Sequence, residues 1–195
     1  MNDVRDTAVV ILAGGRATRF PRKLERPIAG KPMLQRVVAN AGAIGIAVFV
    51  AGSDEFSPQM ASKLGIPFLR DRWPGGGPLR ALVSVCARLP HARIFALAGD
   101  EICAGAELYR MLDAAWEIGD EAVVPRAGVR LQPLAALYSR RALLREGETL
   151  IGSGATAMRD AIARLRVRAI DVPAGHLRNI NVPDDLRRFE ASVTA

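Results

Sequence analysis

Short apolar runs alternate with helical patterns along the first 125 residues of the chain. The runs lack the polar alternation of a half-exposed strand, which is typical of parallel strands covered on both faces. Between them, apolar residues recur every three or four positions, as on the buried side of an amphipathic helix. The predicted strands are Val9 to Ala13, Ala47 to Ala51, Pro67 to Leu69, Ile94 to Ala98 and Ala122 to Pro125, and the predicted helices between them begin near Pro32, Ser57, Pro78 and Ala106.

The order of these elements predicts the fold. A run of strand–helix units calls for a parallel sheet with right-handed crossovers and a ligand site at the carboxyl ends of its strands. After Pro125 the rhythm changes, and residues 126–195 are expected to complete the same sheet. The elements predicted there are a strand and a turn within Val129 to Ser139, helices over Ser139 to Glu146 and Ala155 to Leu165, a strand over Val167 to Val172, and a helix over Pro183 to Ala191. We therefore expect one α/β domain over residues 1–195, a three-layer α/β/α sandwich with a Rossmann-like, mostly parallel sheet.

The first predicted strand ends in two glycines that are followed by a cluster of cations. Gly14 and Gly15 can adopt backbone angles closed to other residues, so their N–H groups can turn toward an anion. A tight turn needs the same glycines, so the turn alone does not decide between structure and binding. The basic residues that follow, Arg19 and Lys23 among them, favour a phosphate site.

Composition limits the classes of partner. The chain has 195 residues, of which 50% are hydrophobic and 24% charged, which indicates one globular domain. Its net charge of +7 and pI near 10.4 would suit a nucleic-acid binder, but only 5% of residues are aromatic and no lysine-rich tract is present. We expect a general attraction for polyanions, including phosphorylated small molecules, and no nucleic-acid partner.

The cysteines and the N-terminal region indicate a cytoplasmic protein. Cys86 and Cys103 lack CxxC spacing, so we expect two structural thiols in a reducing compartment, without a disulfide or zinc site. Asp3 and Asp6 precede a very short apolar run, which does not fit a signal peptide. The uncharged stretch from Val37 to Ser53 is shorter than the ~20 residues of a membrane span, so no membrane partner is expected.

The glycine turn and its cations resemble a known signature. LAGGRATR, a following lysine and then GKPM resemble the nucleotidyltransferases that join a nucleoside triphosphate to a phosphorylated acceptor, on the fold of the nucleotide-diphospho-sugar transferases. This chain departs from the pattern at Pro21, where small members usually have glycine, and in the short interval before the lysine. The resemblance implies that the triphosphate is held by Leu12, Ala13, Gly14 and Gly15 and that its charge is neutralised by Arg19 and Lys23.

Asp100 ends the apolar strand IFALAGD, at the predicted ligand edge of the sheet. Mg²⁺ prefers one or two carboxylates together with phosphate oxygens and water. From the residues alone, Asp100 is either such a ligand or a turn aspartate that caps the next segment. The resemblance implies the Mg²⁺ ligand, because the superfamily holds its magnesium at an aspartate that ends a short apolar strand. Glu101 is either a second ligand or a solvated side chain.

A second resemblance concerns recognition of the nucleotide base. Asp71 precedes Gly77, Pro78 and Leu79, and this order resembles the molybdenum cofactor guanylyltransferases, in which an aspartate ahead of a GPL segment contributes to the guanine-nucleotide site. The resemblance implies that Asp71, Gly77 and Pro78 bind the nucleotide. The alternative is that Asp71 pairs on the surface with a neighbouring arginine.

Two later segments resemble the same guanylyltransferases. QPLAALY begins at Gln132, and NINVPDDL begins at Asn179 and contains Asn181. Side-chain amides both donate and accept hydrogen bonds, which suits a pterin ring edge or a phosphate. The resemblance implies that Gln132, Asn179 and Asn181 belong to the ligand site, and the alternative for the two asparagines is a turn and helix cap before Pro183.

Together the matches imply transfer of GMP from GTP to the phosphate of molybdopterin or its molybdenum form, with Mg²⁺ as cofactor and pyrophosphate as the second product. Residues 1–125 would bind the nucleotide and residues 126–195 the acceptor. The alternatives are CTP or another NTP as donor, a sugar phosphate or cobinamide phosphate as acceptor, and a nucleotide-binding module without catalysis. The sequence does not predict the oligomeric state.

Overall fold

The structure is a computed structural model, and it describes residues 6–14, 22–28, 30–52, 62–73, 75–180, 184–187 and 189. The strands in this part of the chain are β1 (Thr7–Leu12), β2 (Pro27–Ile28), β3 (Lys31–Pro32), β4 (Ala47–Gly52), β5 (Phe68–Arg70), β6 (Arg93–Ala98), β7 (Ala122–Ala127), β8 (Arg130–Leu131), β9 (Ala135–Ser139) and β10 (Val167–Asp171). The helices are α1 (Met33–Gly42), α2 (Gly77–Cys86), α3 (Ala106–Ala114), α4 (Arg140–Gly152) and α5 (Met158–Ile162), with 3₁₀ turns at Lys23–Glu25 and Ala174–His176.

A mixed sheet forms the middle layer, in the order β10-β7-β9-β6-β1-β4-β5, and β8 pairs with β7. β5, β4, β1 and β6 run parallel to one another, whereas β9 is antiparallel to both β6 and β7. The predicted mostly parallel sheet is confirmed. The change of rhythm after Pro125 corresponds to the reversed strand β9.

Two apolar cores cover the two faces of the sheet. Successive side chains of a strand point to opposite faces, so Val9 and Ile11 of β1 lie in a cluster with α1 and α3, while Ala8 and Val10 lie in the cluster with α2, α4 and α5. All six residues of β1 are buried. The three-layer α/β/α sandwich is thus confirmed, with β1 at its centre.

The predicted element ends needed correction. Helix α4 continues to Gly152 rather than ending at Glu146, while α3 ends at Ala114 and α5 covers only Met158–Ile162. Ser139 is the N-cap residue of α4, since its Oγ accepts a hydrogen bond from the N–H of Ala142 at 3.4 Å. The helices predicted from Ser57 and over Pro183 to Ala191 lie largely outside the described residues.

Cys86 is a buried free thiol, as expected of a structural cysteine, whereas the free thiol Cys103 is only half-buried. Burial raises the pKa of Cys86 to about 12 and also raises that of the half-buried Cys103. Among the helices that the structure describes, none combines the length and the apolar character needed to cross a bilayer.

Backbone hydrogen bonds tie together the carboxyl ends of the parallel strands. The N–H of Ala13 donates to Ala51 O at 2.6 Å, and that of Gly99 donates to Leu12 O at 2.9 Å. The N–H of Asp71 donates to Gly52 O at 2.7 Å. These bonds extend past the strands and hold three loops at one edge of the sheet.

Helix α4 packs closely against α2 at Gly147. A Cβ on Gly147 would clash with Val83 Cγ2, whereas one on Gly152, in the same helix, would meet no heavy atom within 4 Å. Gly147 therefore lies inside the helix because of its neighbour, although glycine is a poor helix former.

We expect Gly147→Ala to lower the free energy of unfolding by up to about 2 kcal/mol. Overpacking costs ~1–3 kcal/mol, and the better helix propensity of alanine offsets about 1 kcal/mol of it. Gly152→Ala is the matched control and should be neutral or stabilising. Urea unfolding measures both, and a Gly147→Ala variant at least as stable as the control would contradict the packing.

An ion network lies at the start of β7. The Glu121 side chain is 7% exposed, and its Oε1 accepts from Arg145 Nη2 at 2.9 Å and pairs with Arg166 Nη2 at 3.2 Å. Its Oε2 accepts from the backbone N–H of Arg166 at 3.0 Å. Burial by itself would raise the pKa of Glu121, but these hydrogen bonds and charges outweigh it and lower the pKa below its ordinary value.

This lowered pKa predicts a pH dependence of folding. The contribution of Glu121 to stability is complete above the ordinary glutamate pKa of about 4.3 and is lost as the pH falls through the lower folded value. We expect Glu121→Gln to be less stable than the wild type at pH 7 and to lose less stability on acidification to pH 3. Glu148→Gln, at an exposed position of α4, is the control. Equal pH profiles of unfolding for Glu121→Gln and the wild type would contradict this role.

Candidate active site

A cavity of about 460 Å³ opens at the carboxyl ends of β1, β5 and β6. Its size is in the usual range for small-molecule sites, and its place is where open α/β sheets bind ligands. Residues predicted from four separate segments line it: Leu12, Ala13, Gly14, Lys23, Asp71, Gly77, Pro78 and Asp100. The fold thus brings together most of the predicted nucleotide-binding set.

An ion pair between Lys23 and Asp100 spans the cavity wall. Lys23 Nζ donates a hydrogen bond to Asp100 Oδ2, and the two side chains are only 14% and 16% exposed. A charge in such a place is costly unless an opposite charge or a hydrogen bond compensates it. The predicted phosphate cation and the predicted metal ligand therefore neutralise each other.

The turn at Lys23–Glu25 positions the lysine. Arg22, just before it, has a φ of 52°, in the left-handed region that disfavours side chains with a Cβ. Its guanidinium is exposed and pairs with Glu25 at 2.5 Å. Leu24 lines the cavity beside the lysine and packs over Gly99, where a Cβ would come within 3.2 Å of Leu24 Cδ1.

Gly99 gives the turn before Asp100 its shape. A Cβ at Gly99 would lie 3.0 Å from Leu12 O, the acceptor of its own N–H. This contact is tighter than real Cβ atoms usually make, so glycine lets β6 end against β1 without a shift of the neighbouring backbone.

Asp71 is buried beneath the cavity, with 7% of its surface exposed. Its Oδ1 accepts from the N–H of Trp73 at 2.9 Å and from Ser84 Oγ of α2 at 3.3 Å. Surface pairing with a neighbouring arginine, the alternative considered for Asp71, does not fit this burial. The carboxylate instead lines the cavity.

The start of α2 forms the wall next to Asp71. Gly77 has a φ of +83°, and a Cβ there would lie 2.6 Å from the carbonyl oxygen of Thr156. The same oxygen accepts from the N–H of Leu79 at 3.2 Å. Gly77 is therefore required both by its backbone angle and by the close approach of the segment before α5.

The amide residues are placed differently. Gln132 and Asn179 are not among the residues that line the cavity, and Gly15, Arg19 and Asn181 lie outside the described residues. Gln132 is in the turn before β9, where its N–H donates to Pro125 O at 2.9 Å. Its neighbour Leu134 does line the cavity, but an apolar side chain gives no chemical signal from which this could have been predicted.

Glu101 is 1% exposed, so of the two alternatives considered for it, a solvated side chain does not fit. It forms an antiparallel bridge with Asn179 and is not among the cavity-lining residues. Burial, and then the charge of Asp100, raises the pKa of Glu101 to about 8, opposed by a hydrogen bond from the backbone of Arg178. Among the described residues, no group of three or more His, Cys, Asp or Glu could hold a metal ion.

Comparison with known proteins agrees with this geometry. The family model of the MobA-like NTP transferase domain matches residues 9–169. A protein of Pelotomaculum thermopropionicum named "Probable molybdenum cofactor guanylyltransferase" is 32% identical over 132 residues, which cover 67% of this chain and 62% of that protein. A protein of Carboxydothermus hydrogenoformans with the same name is 28% identical, over 70% of this chain and 68% of its own length.

Solved structures give the same fold. The molybdopterin-guanine dinucleotide biosynthesis protein A of Archaeoglobus fulgidus superposes with a TM-score of 0.81 at 22% identity. The match covers 96% of this chain and 98% of that one. It confirms the predicted α/β fold over almost the whole length.

Proposed function

Because the chain belongs to the MobA-like NTP transferase domain family, we propose that it transfers GMP from GTP to a phosphate of molybdopterin or its molybdenum form, releasing pyrophosphate in the cytoplasm. The observation that carries the proposal is the Lys23–Asp100 pair inside a nucleotide-sized cavity at the strand ends. The guanylyltransferase names of the relatives support the donor and the acceptor.

The metal-ligand atoms that the cavity offers suit Mg²⁺. Asp100 offers a carboxylate at the cavity, and Mg²⁺ is usually held by one or two carboxylates with phosphate oxygens and water rather than by a full protein cage. The lack of a larger acidic cluster among the described residues fits a metal that is bound together with a triphosphate. Asp100 would hold the Mg²⁺, which would supply positive charge to offset that of the phosphates.

Residues of the chain itself then position the substrates and stabilise the charge that develops during transfer. Lys23, released from Asp100, donates to the oxygens of the leaving pyrophosphate, on which negative charge grows. The cavity-lining backbone at Gly14 and the predicted contact of Arg19 add to that stabilisation. The acceptor phosphate oxygen attacks the α-phosphorus in line while the bond to the β-phosphate oxygen breaks. Catalysis is therefore positioning and electrostatics, without a covalent enzyme intermediate.

The direct test is pyrophosphate release with GTP, Mg²⁺ and molybdopterin. We expect the wild type to turn over and Asp100→Asn to lose about a hundredfold or more in rate, because an amide is a far weaker Mg²⁺ ligand than a carboxylate. Asp171→Asn, at an exposed position of β10, is the matched control and should keep the wild-type rate. No release by the wild type, or near-normal release by a folded Asp100→Asn variant, would contradict the proposal.

The buried carboxylate of Asp71 predicts the choice of donor. Guanine offers N1–H and an exocyclic amine to one carboxylate, and neither adenine nor cytosine presents that donor pair. We expect GTP to bind more tightly than ATP or CTP, and Asp71→Asn to weaken GTP about five- to a hundredfold while barely altering the others. The asparagine keeps an acceptor for Ser84, which limits damage to the fold.

Calorimetric titration with the three nucleotides measures this preference. Ser84→Ala, which leaves the carboxylate in place, serves as the control for loss of the neighbouring hydrogen bond. Equal affinity for the three nucleotides in the wild type, or an Asp71→Asn variant with an unchanged preference, would show that Asp71 does not recognise the base.

A further inference from the structure

The carboxylate of Glu101 is unexplained by the nucleotide site. It directly follows Asp100 in sequence, yet it is buried and does not line the cavity. A buried carboxyl group is costly unless hydrogen bonds satisfy it, so its partners indicate its role.

Among the described residues, those that contact the Glu101 side chain through hydrogen bonds belong to the segment after β10. Asn179 pairs with Glu101 in an antiparallel bridge. With the side-chain amide assigned so that its nitrogen faces the Glu101 carboxylate, Asn179 donates to both carboxylate oxygens, at 3.1 Å to Oε1. The backbone of Arg178 adds a further hydrogen bond to the carboxylate.

The backbones of the two segments are joined as well. The N–H of Ile102 donates to Arg178 O at 3.1 Å, and that of Ile180 donates to Asp100 O at 3.3 Å. Ile180 is itself 2% exposed and belongs to the core. Residues 178–180 thus enclose the turn that presents Asp100 to the cavity.

We propose that Glu101 is a positioning residue which, through Asn179, fixes the Asp100 carboxylate for its metal. It is then neither a second metal ligand nor a surface group, and the Asn179 side chain acts on Glu101 rather than on a pterin. The inference rests on the proposed function, since it assumes that Asp100 binds the metal. It also links the metal turn to the segment that continues into Asn181.

An isosteric exchange of the two side chains tests the pairing. The Asn179→Asp variant places two carboxyl groups side by side. The Glu101→Gln variant places one amide N–H donor against another. The double variant Glu101→Gln/Asn179→Asp restores a donor–acceptor pair with the wild-type formal charge. Mn²⁺ affinity, measured by electron paramagnetic resonance with a non-hydrolysable GTP analogue, is the readout, and thermal unfolding checks the fold.

We expect both single variants to weaken Mn²⁺ binding about tenfold or more, as partners behind a metal ligand typically do, and the double variant to return within about threefold of the wild type. A charge effect alone would move the two single variants in opposite directions. The inference is overturned if a folded Asn179→Asp variant binds Mn²⁺ at least as tightly as the wild type. It is also overturned if the double variant is no better than Glu101→Gln, a comparison that holds even when Asn179→Asp does not fold.

The wild type separates this inference from the proposal it rests on. Absence of Mn²⁺ binding by the wild type with the analogue would contradict the metal role of Asp100 and, with it, both claims. Wild-type binding that neither single variant changes would contradict only the role of Glu101.

Discussion

The ion pair between Lys23 and Asp100 is the interaction on which the site depends. It joins the 3₁₀ turn at Lys23–Glu25 to the end of β6 at the edge of the cavity, with both side chains largely shielded from water. Each charge compensates the other there, which holds both side chains in place. The same pairing means that a ligand must offer both groups new partners: an anion for the lysine and a cation for the carboxylate. A metal-bound nucleoside triphosphate meets both needs, whereas a free anion or a free cation meets one.

The surroundings of the pair are arranged to hold its geometry. Gly99 lets β6 end against β1, and Leu24 packs over it from the side of the lysine. On the other side of the turn, residues 178–180 make backbone hydrogen bonds with Asp100 and Ile102. The chain after β10 therefore contributes to the nucleotide site itself, not only to the part predicted to bind the acceptor.

Much of the fold and part of the candidate site could be predicted from local sequence. Buried parallel strands give continuous apolar runs, and their ends converge, so Gly14, Asp71 and Asp100 could be placed at one edge without a structure. The two-residue strands have no periodicity to detect, and the end of α4 was missed because Gly147 is explained by Val83, a residue on another helix. The Glu101–Asn179 pair could not be predicted for a similar reason, since it joins distant segments and depends on burial. The resemblance to molybdenum cofactor guanylyltransferases is confirmed by the family match.

We expect one ligand to replace the Lys23–Asp100 pair, with its phosphates binding Lys23 and its metal binding Asp100. Calorimetric titration of the wild type with GTP, in excess EDTA and again in saturating Mg²⁺, tests it most directly. Moving Lys23 onto a phosphate without a replacement cation leaves a shielded carboxylate unpaired, so GTP should bind at least about tenfold more tightly with Mg²⁺, which corresponds to ~1.4 kcal/mol. The same GTP affinity under both conditions would contradict the claim.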